Sequence, residues 1–596
     1  MQRRQLLKTA VALPLLGALA PLASARVMSP FQRLRPSDPY WPSAAEWQSL
    51  KSALDGNLLE VAPLFAACAG AGENAACAAV LQNIRNPFYL GDQPGGTQLS
   101  GWFEAWTAAP SVYAVKARHA ADVAAAVTFA RTHNLRLVVK GGGHSYLGTS
   151  NAPDSLLIWT RAMNDIAVHE AFVGEGCAGT VAPQPAVTVG AGCVWIDVYT
   201  AVTTQTGRYV QGGGCTTVGV AGLIQSGGFG SFSKAFGTAA SGLLEAEVVT
   251  ADGRVRRVNA CTEPDLFWAL KGGGGGTFGV VTQLTLRTHD LPEFFGAAWG
   301  MVRAKTDDAF RRLIARFLEF YAGSLANEHW GEQFALRPDN SLKLSFVCQG
   351  LSREAVRALW QPFFDWVRAS PDYSVTDELG AGAKPARRWW EVEGNHSMIR
   401  DPRSGASPTH GWWEGDQDQV GSYLHGYDSL WVPAALLHPG SRPRLAAALF
   451  AASRYKEVEM HCNKGLAFAP TAATQAALET AMNPAVTEAF ALAIIADGEG
   501  PRYPLMRQAP LDRYAAQRDA HLIDRATAAL RELAPQAGSY LSESNYFNTH
   551  WQQAYFGSHY PRLAAIKKQY DPEGLFFVHH GVGSETWSAD GFTRTG

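Results

Sequence analysis

The chain has 596 residues, of which 47% are hydrophobic and 17% are charged. This length allows two to four globular domains at roughly 150 residues each, and the composition excludes a mostly disordered protein. With 51 lysines and arginines against 53 aspartates and glutamates, the net charge is −2. We therefore expect no nucleic-acid partner, because binding phosphates requires an excess of positive charge.

Residues 1–25 have the features of an export signal. Arg3-Arg4 and Lys8 precede an apolar run that ends in Ala23-Ser24-Ala25, an A-x-A cleavage pattern. The twin arginines favour a twin-arginine signal, with an ordinary secretory signal as the alternative. The run is too short to span a bilayer. The sequence therefore predicts an exported protein, periplasmic or extracellular, without a stable membrane anchor.

An oxidising destination permits disulfides between some of the eight cysteines. Cys68 and Cys77 are close in sequence, and we predict that they pair. The spacing leaves open the connectivity of the remaining six, which are Cys177, Cys193, Cys215, Cys261, Cys348 and Cys462. No C-x-x-C pair is present, and the histidines lack carboxylates at ligand spacing, so we predict no metal site.

The pattern of elements predicts an α+β fold with two domains. Short strands are predicted at Ser111–Lys116, Leu135–Val139, Ser155–Trp159, Ala186–Val189, Leu244–Thr250 and Gly279–Leu286, and a helix at Ala120–His133. After Leu291 the glycine runs disappear, aromatic residues cluster, and amphipathic helices are predicted at Asp307–Tyr321, Glu354–Val367 and Leu511–Ala534. We therefore predict a first domain at 26–290, a second at 291–535, and a C-terminal segment at 536–596.

Three glycine clusters occur within the first domain. They are Gly141–Ser145, Gly212–Cys215 with Gly227–Gly230, and Gly272–Gly279. Glycine lets backbone N–H groups approach an anion closely. A single cluster could be a tight turn, but three together favour a large anionic cofactor such as a dinucleotide. The P-loop pattern is absent, and Gly272–Gly276 precedes a strand rather than the helix of a Rossmann site.

His144 and Cys215 each follow three glycines directly. A single histidine in a loop is most often structural, and a single cysteine is most often a small core residue. Imidazole and thiolate are also nucleophiles. Next to glycine loops that suit a dinucleotide, either side chain or both could attach an electrophilic flavin ring.

These motifs resemble a known family. VVKGGGHS, GGGCTTVGVAGLIQSGGFG, DLFWALKGGGGGTFGVVT and YPRLAAIKKQYDPEGLF are similar to FAD-linked oxidoreductases of the vanillyl-alcohol oxidase superfamily, in the berberine-bridge-enzyme-like branch. The resemblance covers about 110–291 and 540–587. It implies a two-part PCMH-type FAD-binding domain, completed by segment 536–596. It also implies an inserted α+β substrate domain, whose mixed or antiparallel sheet covers the flavin with helices behind.

The resemblance implies FAD held by two covalent bonds, from His144 to the 8α-methyl group and from Cys215 to ring carbon C6. Such links raise the flavin reduction potential and hold the ring in an open site that suits bulky substrates. Other cofactor-binding residues implied are Lys140, Gly141, Gly142, Gly143, Ser145, Gly214, Gly219, Gly222, Gly227, Gly228, Gly230, Gly279 and Val281.

The flavin would accept a hydride while a base removes the hydroxyl proton. Tyr540 aligns with the family's catalytic tyrosine, with Ser542 in place of the usual Asn; Tyr546 and a carboxylate of the substrate domain are alternatives. Tyrosine needs cationic help to ionise near pH 7. Lys464 could supply it, although a solvated surface lysine is the preferred interpretation. Many relatives have a tyrosine where this chain has Phe229.

Val218 occupies a position that gates oxygen access in the family, and valine there is typical of oxidases. We therefore expect an oxidase acting on an alcohol, a sugar or oligosaccharide, or a secondary metabolite, with molecular oxygen reduced to H₂O₂. Aromatic residues of the second domain could stack on such a substrate or form ordinary core. The alternatives are a dehydrogenase with another electron acceptor and a catalytically silent flavin-binding protein.

Overall fold

The computed structural model describes residues 31–69 and 74–595. The predicted export signal lies outside these residues. Strands and helices alternate through the described chain, and the predicted α+β fold is confirmed. Within these ranges, no helix is long and apolar enough to cross a membrane.

A four-stranded sheet forms the first layer. Its spatial order is Leu58–Glu60, Tyr113–Lys116, Ser155–Trp159 and Arg136–Lys140, and the last three strands run parallel. Helix Ala120–Thr132 connects two of them and buries Val123, Ala126 and Val127 against the sheet. The parallel direction matters because strand Arg136–Lys140 ends where the first glycine cluster begins.

A six-stranded antiparallel sheet forms the second layer. Its path is Val255–Asn259, Leu243–Val249, Val280–Asp290, Gln184–Gly190 and Ile166–Phe172, and Arg208–Val210 pairs with the far end of Val280–Asp290. Three of these strands were not predicted. Ile166–Phe172, for example, has no buried residue, so its sequence lacks the apolar alternation that marks a half-buried strand.

A nine-stranded mixed sheet forms most of the second domain. Its spatial order is Tyr373–Pro385, Phe294–Ala304, Ser341–Gln349, Trp330–Leu336, Val458–His461, Ala489–Glu499, Tyr423–Pro433, Gly101–Trp102 and Trp106–Thr107. All neighbours are antiparallel except Tyr423–Pro433 with Gly101–Trp102. The last two strands come from before residue 110, so the N-terminal part of the chain extends this sheet.

The two faces of the nine-stranded sheet pack against different layers, because successive side chains of a strand point to opposite sides. Leu430 and Val432 pack against helices on the outer face. Those helices are Asp307–Phe320, Arg353–Ala369, Arg442–Ser453 and Arg513–Arg531. Trp431 and Leu492 face inward and pack with Phe229 of the second glycine cluster. The inner face therefore lies over the glycine loops.

The C-terminal segment returns to the first domain. Phe576 bridges Leu137 of the four-stranded sheet, and Arg136 donates a 3.0 Å hydrogen bond to the carbonyl of Phe577. Lys567 Nζ donates to the carbonyl of Thr277, beside the third glycine cluster, at 2.7 Å. These contacts join the C-terminal segment to the four-stranded sheet and to the third glycine cluster.

The remaining elements are short. A two-stranded hairpin pairs Met398–Arg400 with Gly411–Trp413. The other α-helices are Ala44–Ala53, Ala75–Asn83, Pro87–Gly91, Trp195–Tyr199, Val220–Gln225, Ser233–Phe236, Pro264–Leu270, Thr471–Leu478, Trp551–Phe556 and Tyr560–Tyr570.

The described residues contain two disulfides. Cys68–Cys77 confirms the predicted pair, and Cys177–Cys261 joins residues 84 positions apart. The sequence left the second pairing open, because the two cysteines are far apart in the chain and only the folded sheet brings them together. Cys193, Cys215, Cys348 and Cys462 are free thiols.

Candidate active site

The glycine clusters converge on one cleft between the two domains. The cleft encloses about 2070 Å³ of empty space, including its open mouth. The first domain contributes Gly141–His144, Cys215 and Gly274–Gly276, and the second contributes Asp416 and Lys464. A long ligand could therefore lie along the glycine loops with one end facing the second domain.

Two of the loops touch through their backbones at Gly142 and Gly219. A Cβ atom on Gly142 would lie 2.9 Å from the nitrogen of Gly219 and 3.0 Å from the carbonyl oxygen of Thr217. Side chains essentially never come so close to backbone, so the approach requires glycine. This contact brings His144 and Cys215, which are 71 residues apart in the printed sequence, to the same cleft.

His144 is held in a neutral form. Its Nε2 lies 3.1 Å from Oγ1 of Thr217, on the second glycine loop. Burial lowers the pKa of His144 to about 4, because desolvation disfavours the imidazolium. The imidazole therefore keeps a free lone pair near pH 7, as nucleophilic attachment of a ligand requires.

Two buried acceptors in the cleft wall have no protein partner. The side-chain oxygens Oε1 of Gln98 and Gln225 accept no hydrogen bond from the described residues. A buried acceptor without a donor costs about 1–3 kcal/mol. Unpaired amide oxygens, close glycine backbone and a neutral histidine together fit a polar dinucleotide such as FAD, whose ring and ribose groups donate hydrogen bonds.

The structure places most of the predicted site residues in the cleft wall. Those present are Gly141, Gly142, Gly143, His144, Ser145, Cys215, Val218, Gly219, Gly222, Gly279, Val281 and Tyr540. Those outside the wall are Lys140, Gly214, Gly227, Gly228, Gly230 and Tyr546.

Lys140 supports the cleft from behind. Its ammonium donates to the carbonyls of Gln93, Pro94 and Gly96 at 2.7, 2.6 and 2.9 Å. Burial lowers its pKa to about 7. Three backbone carbonyls therefore hold the Lys140 ammonium, and its cofactor-binding role stays a prediction.

The glycines outside the wall serve packing. Positions 227 and 228 lie against the side chains of Met482 and Leu223, and Gly230 lies against the carbonyl of Gly212. The carbonyl of Gly214 accepts a 3.1 Å hydrogen bond from Nε1 of Trp413. These glycines shape the second loop, and the structure does not bring them to the cleft.

Tyr546 does not itself line the cleft. Its ring stacks on His579, with centroids 3.8 Å apart, and packs near Trp102 at 6.0 Å. Burial raises the pKa of Tyr546, so its phenol ionises less readily than that of an exposed tyrosine.

Tyr540 lines the cleft but is not poised to ionise. Only 4% of it is exposed, and its ring packs edge-on against Phe229 at 5.1 Å. Burial and then the Glu543 carboxylate raise the pKa of Tyr540. Both effects disfavour the tyrosinate, because they penalise negative charge.

The ammonium expected to assist the ionisation of Tyr540 is paired with another residue. Lys464 Nζ pairs with Oε2 of Glu543 at 2.6 Å, and their side chains are 12% and 19% exposed. The interpretation of Lys464 as a solvated surface lysine is wrong: it lines the cleft. Sequence reasoning missed Glu543, because its partner lies 79 positions away and no local pattern marks the pair.

The aromatic residues of the second domain separate into core and site. Trp390 stacks on Tyr199 at 4.0 Å and is 6% exposed, so it belongs to the core. Trp412 lines the cleft. Tyr427 packs against Tyr146, which lines the cleft, with ring centroids 5.1 Å apart. An aromatic pair therefore lies at the second-domain end of the site.

The chain is similar to known flavoproteins. A family model described as an FAD binding domain matches residues 111–259, and one described as berberine and berberine like matches 534–583. VAO-type flavoprotein oxidase VAO615 of Thermothelomyces thermophilus is 29% identical over 98% of both chains. FAD-linked oxidoreductase malF of Malbranchea aurantiaca is 30% identical over 94% of this chain and 93% of its own.

Solved structures share the fold. VAO-type flavoprotein MtVAO615 of Myceliophthora thermophila C1 superposes with a TM-score of 0.75 at 27% identity, covering 94% of this chain and 100% of that chain. Glucooligosaccharide oxidase of Acremonium strictum, described with a 6-S-cysteinyl, 8α-N1-histidyl FAD, gives 0.60 at 19% identity, covering 81% and 94%.

Fold and cleft together define an FAD-dependent oxidoreductase with a PCMH-type domain. The chain belongs to the vanillyl-alcohol oxidase family, in its berberine-bridge-enzyme-like branch.

Proposed function

We propose that the protein is an exported oxidase that carries FAD through His144 and Cys215 and reduces oxygen to H₂O₂. The observation that carries this proposal is the placement of both nucleophiles in one cleft, on two loops whose backbones touch. When bound, FAD accepts a hydride from a substrate carbon and returns the electrons to an acceptor.

The described cleft suits a bulky, hydroxyl-bearing substrate. Tyr146, backed by Tyr427, offers an aromatic face, and aromatic faces stack on sugar rings or other ring systems. Glu543 and Asp416 supply acceptors for hydroxyl groups in the same cleft. The substrate class we propose is a sugar or oligosaccharide, or a cyclic alcohol of secondary metabolism.

Glu543 is the proposed acceptor of the substrate proton. Its carboxylate lines the cleft three residues after Tyr540, and Lys464 holds one of its oxygens by the 2.6 Å contact. The ammonium holds the carboxylate in position, where it can accept a hydroxyl proton. The phenol of Tyr540 would stay protonated and donate a hydrogen bond.

Covalent attachment has a direct test. The variants H144A and C215A should each keep flavin on the denatured chain through the remaining bond, and the double variant should release it. Fluorescence of the acid-precipitated protein, or of its band on a denaturing gel, measures the attached flavin. Release of intact FAD from the acid-precipitated wild type would contradict the proposal.

Val218 tests the oxidase assignment. Its side chain lines the cleft, and V218L adds one methylene there. We expect V218L to slow reoxidation by oxygen by about tenfold, equal to about 1.4 kcal/mol of activation free energy. Stopped-flow mixing of anaerobically reduced enzyme with oxygen measures the rate, and V218A, which opens the position, is the control. Wild-type reoxidation no faster than that of free flavin would favour the dehydrogenase alternative.

A further inference from the structure

Strand Gly411–Trp413, the second strand of the two-stranded hairpin, is hydrogen-bonded to the residues on either side of Cys215. Nε1 of Trp413 donates to the carbonyl of Gly214 at 3.1 Å, and Oγ1 of Thr216 donates to the carbonyl of Gly411 at 2.8 Å. These are hydrogen bonds between domains, made one residue before and one residue after the cysteine. They fix the position of the thiol relative to the segment that follows Trp413.

The short helix Glu414–Gln419 follows directly and carries Asp416. Both residues line the cleft, and the Asp416 carboxylate is, after burial, the main influence that raises the pKa of the Cys215 thiol. Nε1 of Trp412 braces the helix by donating to Oε1 of Gln417 at 2.8 Å. The acid is therefore held at the cysteine by contacts on both sides of it in sequence.

The surroundings of the Cys215 thiol oppose its ionisation. Burial raises the pKa of Cys215, and the carboxylates of Asp416 and Glu332 raise it further, while Lys464 acts in the opposite direction. A buried thiol of this kind reacts slowly unless a neighbouring base takes its proton as the bond forms.

The other acidic side chains near the Cys215 thiol have partners of their own. Glu332 accepts a short hydrogen bond from the hydroxyl of Ser231, and Glu543 is paired with Lys464. No ammonium or guanidinium within 4.0 Å pairs with the Asp416 carboxylate in the described part of the chain. Burial raises the pKa of Asp416 to about 6, so it is mostly ionised near pH 7 and able to accept a proton.

We propose that Asp416 is the general base for attachment of Cys215 to the flavin, a maturation step distinct from substrate oxidation. The proposal rests on the covalent attachment proposed above. Cys215 Sγ gives its proton to Asp416 and forms a bond to ring carbon C6. The sulfur supplies the electron pair of the new bond, and the hydrogen of C6 leaves as a proton. The ring system is therefore reduced by two electrons. Molecular oxygen then takes two electrons and two protons, forms H₂O₂, and restores the oxidised ring.

The variant D416N removes the base and keeps the shape of the side chain. The His144 bond serves as an internal control, because flavin on that residue shows that the variant folded and bound FAD. The matched control is D418N, which removes an exposed acid from the same short helix. Peptide mass spectrometry of freshly purified protein measures the fraction of Cys215 and of His144 that carries flavin.

We expect D416N to carry flavin on His144 at the wild-type level and on Cys215 at less than about a tenth of it, since general bases contribute 10²–10⁴-fold in rate. The thiol of Cys215 should then react with iodoacetamide after denaturation. D416S provides a second, smaller neutral side chain, and D418N should match the wild type.

Wild-type levels of flavin on Cys215 in D416N or D416S would overturn the role of Asp416 and leave the covalent proposal intact. Wild-type protein with flavin on His144 and an unmodified Cys215 would overturn both. The two failures are therefore distinguishable in one experiment.

Discussion

The variant E543Q is expected to lower kcat by about 10²–10⁴-fold, the range in which a general base contributes. Glutamine keeps the size of the side chain but cannot accept the hydroxyl proton. The measurement is the rate of flavin bleaching under anaerobic conditions, with an alcohol or sugar that reduces the wild-type flavin. E543Q leaves both His144 and Cys215 in place, so we expect the covalent flavin content to be unchanged.

Two tyrosine variants serve as controls for E543Q. Y540F removes a phenol that lines the cleft but is kept protonated by burial and by Glu543, so we expect a clearly smaller loss. Y546F should leave the rate near the wild-type value, because Tyr546 stacks on His579 and does not itself line the cleft. A large loss in Y540F together with near-normal E543Q would identify Tyr540 as the base and contradict the proposal.

The second large effect is expected from G142A. The new methyl group would meet two backbone atoms of the other loop, at 2.9 and 3.0 Å. Backbone cannot rotate away as a side chain can, so the loops of His144 and Cys215 must separate. Overpacking of this kind costs typically about 1–3 kcal/mol, and we expect most of the covalent flavin to be lost.

Thermal unfolding and the fluorescence of the denatured protein measure the two consequences of G142A. G242A is the matched control, because a Cβ at Gly242 has no atom within 4 Å and its backbone φ is not in the left-handed region. It should keep the wild-type melting temperature and flavin content. Normal flavin attachment in G142A would show that the loops can separate without disturbing the site.

Local patterns predicted the elements that surround the cofactor loops. The apolar run before the first glycine cluster forms strand Arg136–Lys140, and the alanine-rich stretch before it forms helix Ala120–Thr132. Three helices of the second domain were also predicted within a few residues, as Asp307–Phe320 shows, whereas Arg442–Ser453 was not predicted. Their signals are local, because burial on one face imposes a short period on the sequence.

Other elements carry no such signal. The strand Arg208–Val210 is three residues long, too short to show a period. Strands Gly101–Trp102 and Trp106–Thr107 have two residues each and exist because they pair at the edge of a sheet from another part of the chain. Pairing partners far apart in sequence leave no pattern in either segment.

The sequence by itself determined the family, the glycine loops and the two nucleophiles, because backbone approach to a ligand demands glycine wherever the chain folds. Only the tertiary structure decided which charged groups surround them. Lys464 meets Glu543, and Asp416 meets Cys215, through contacts that cross the two domains. Such pairs depend on how strands from distant segments align, and charge alone does not encode that alignment.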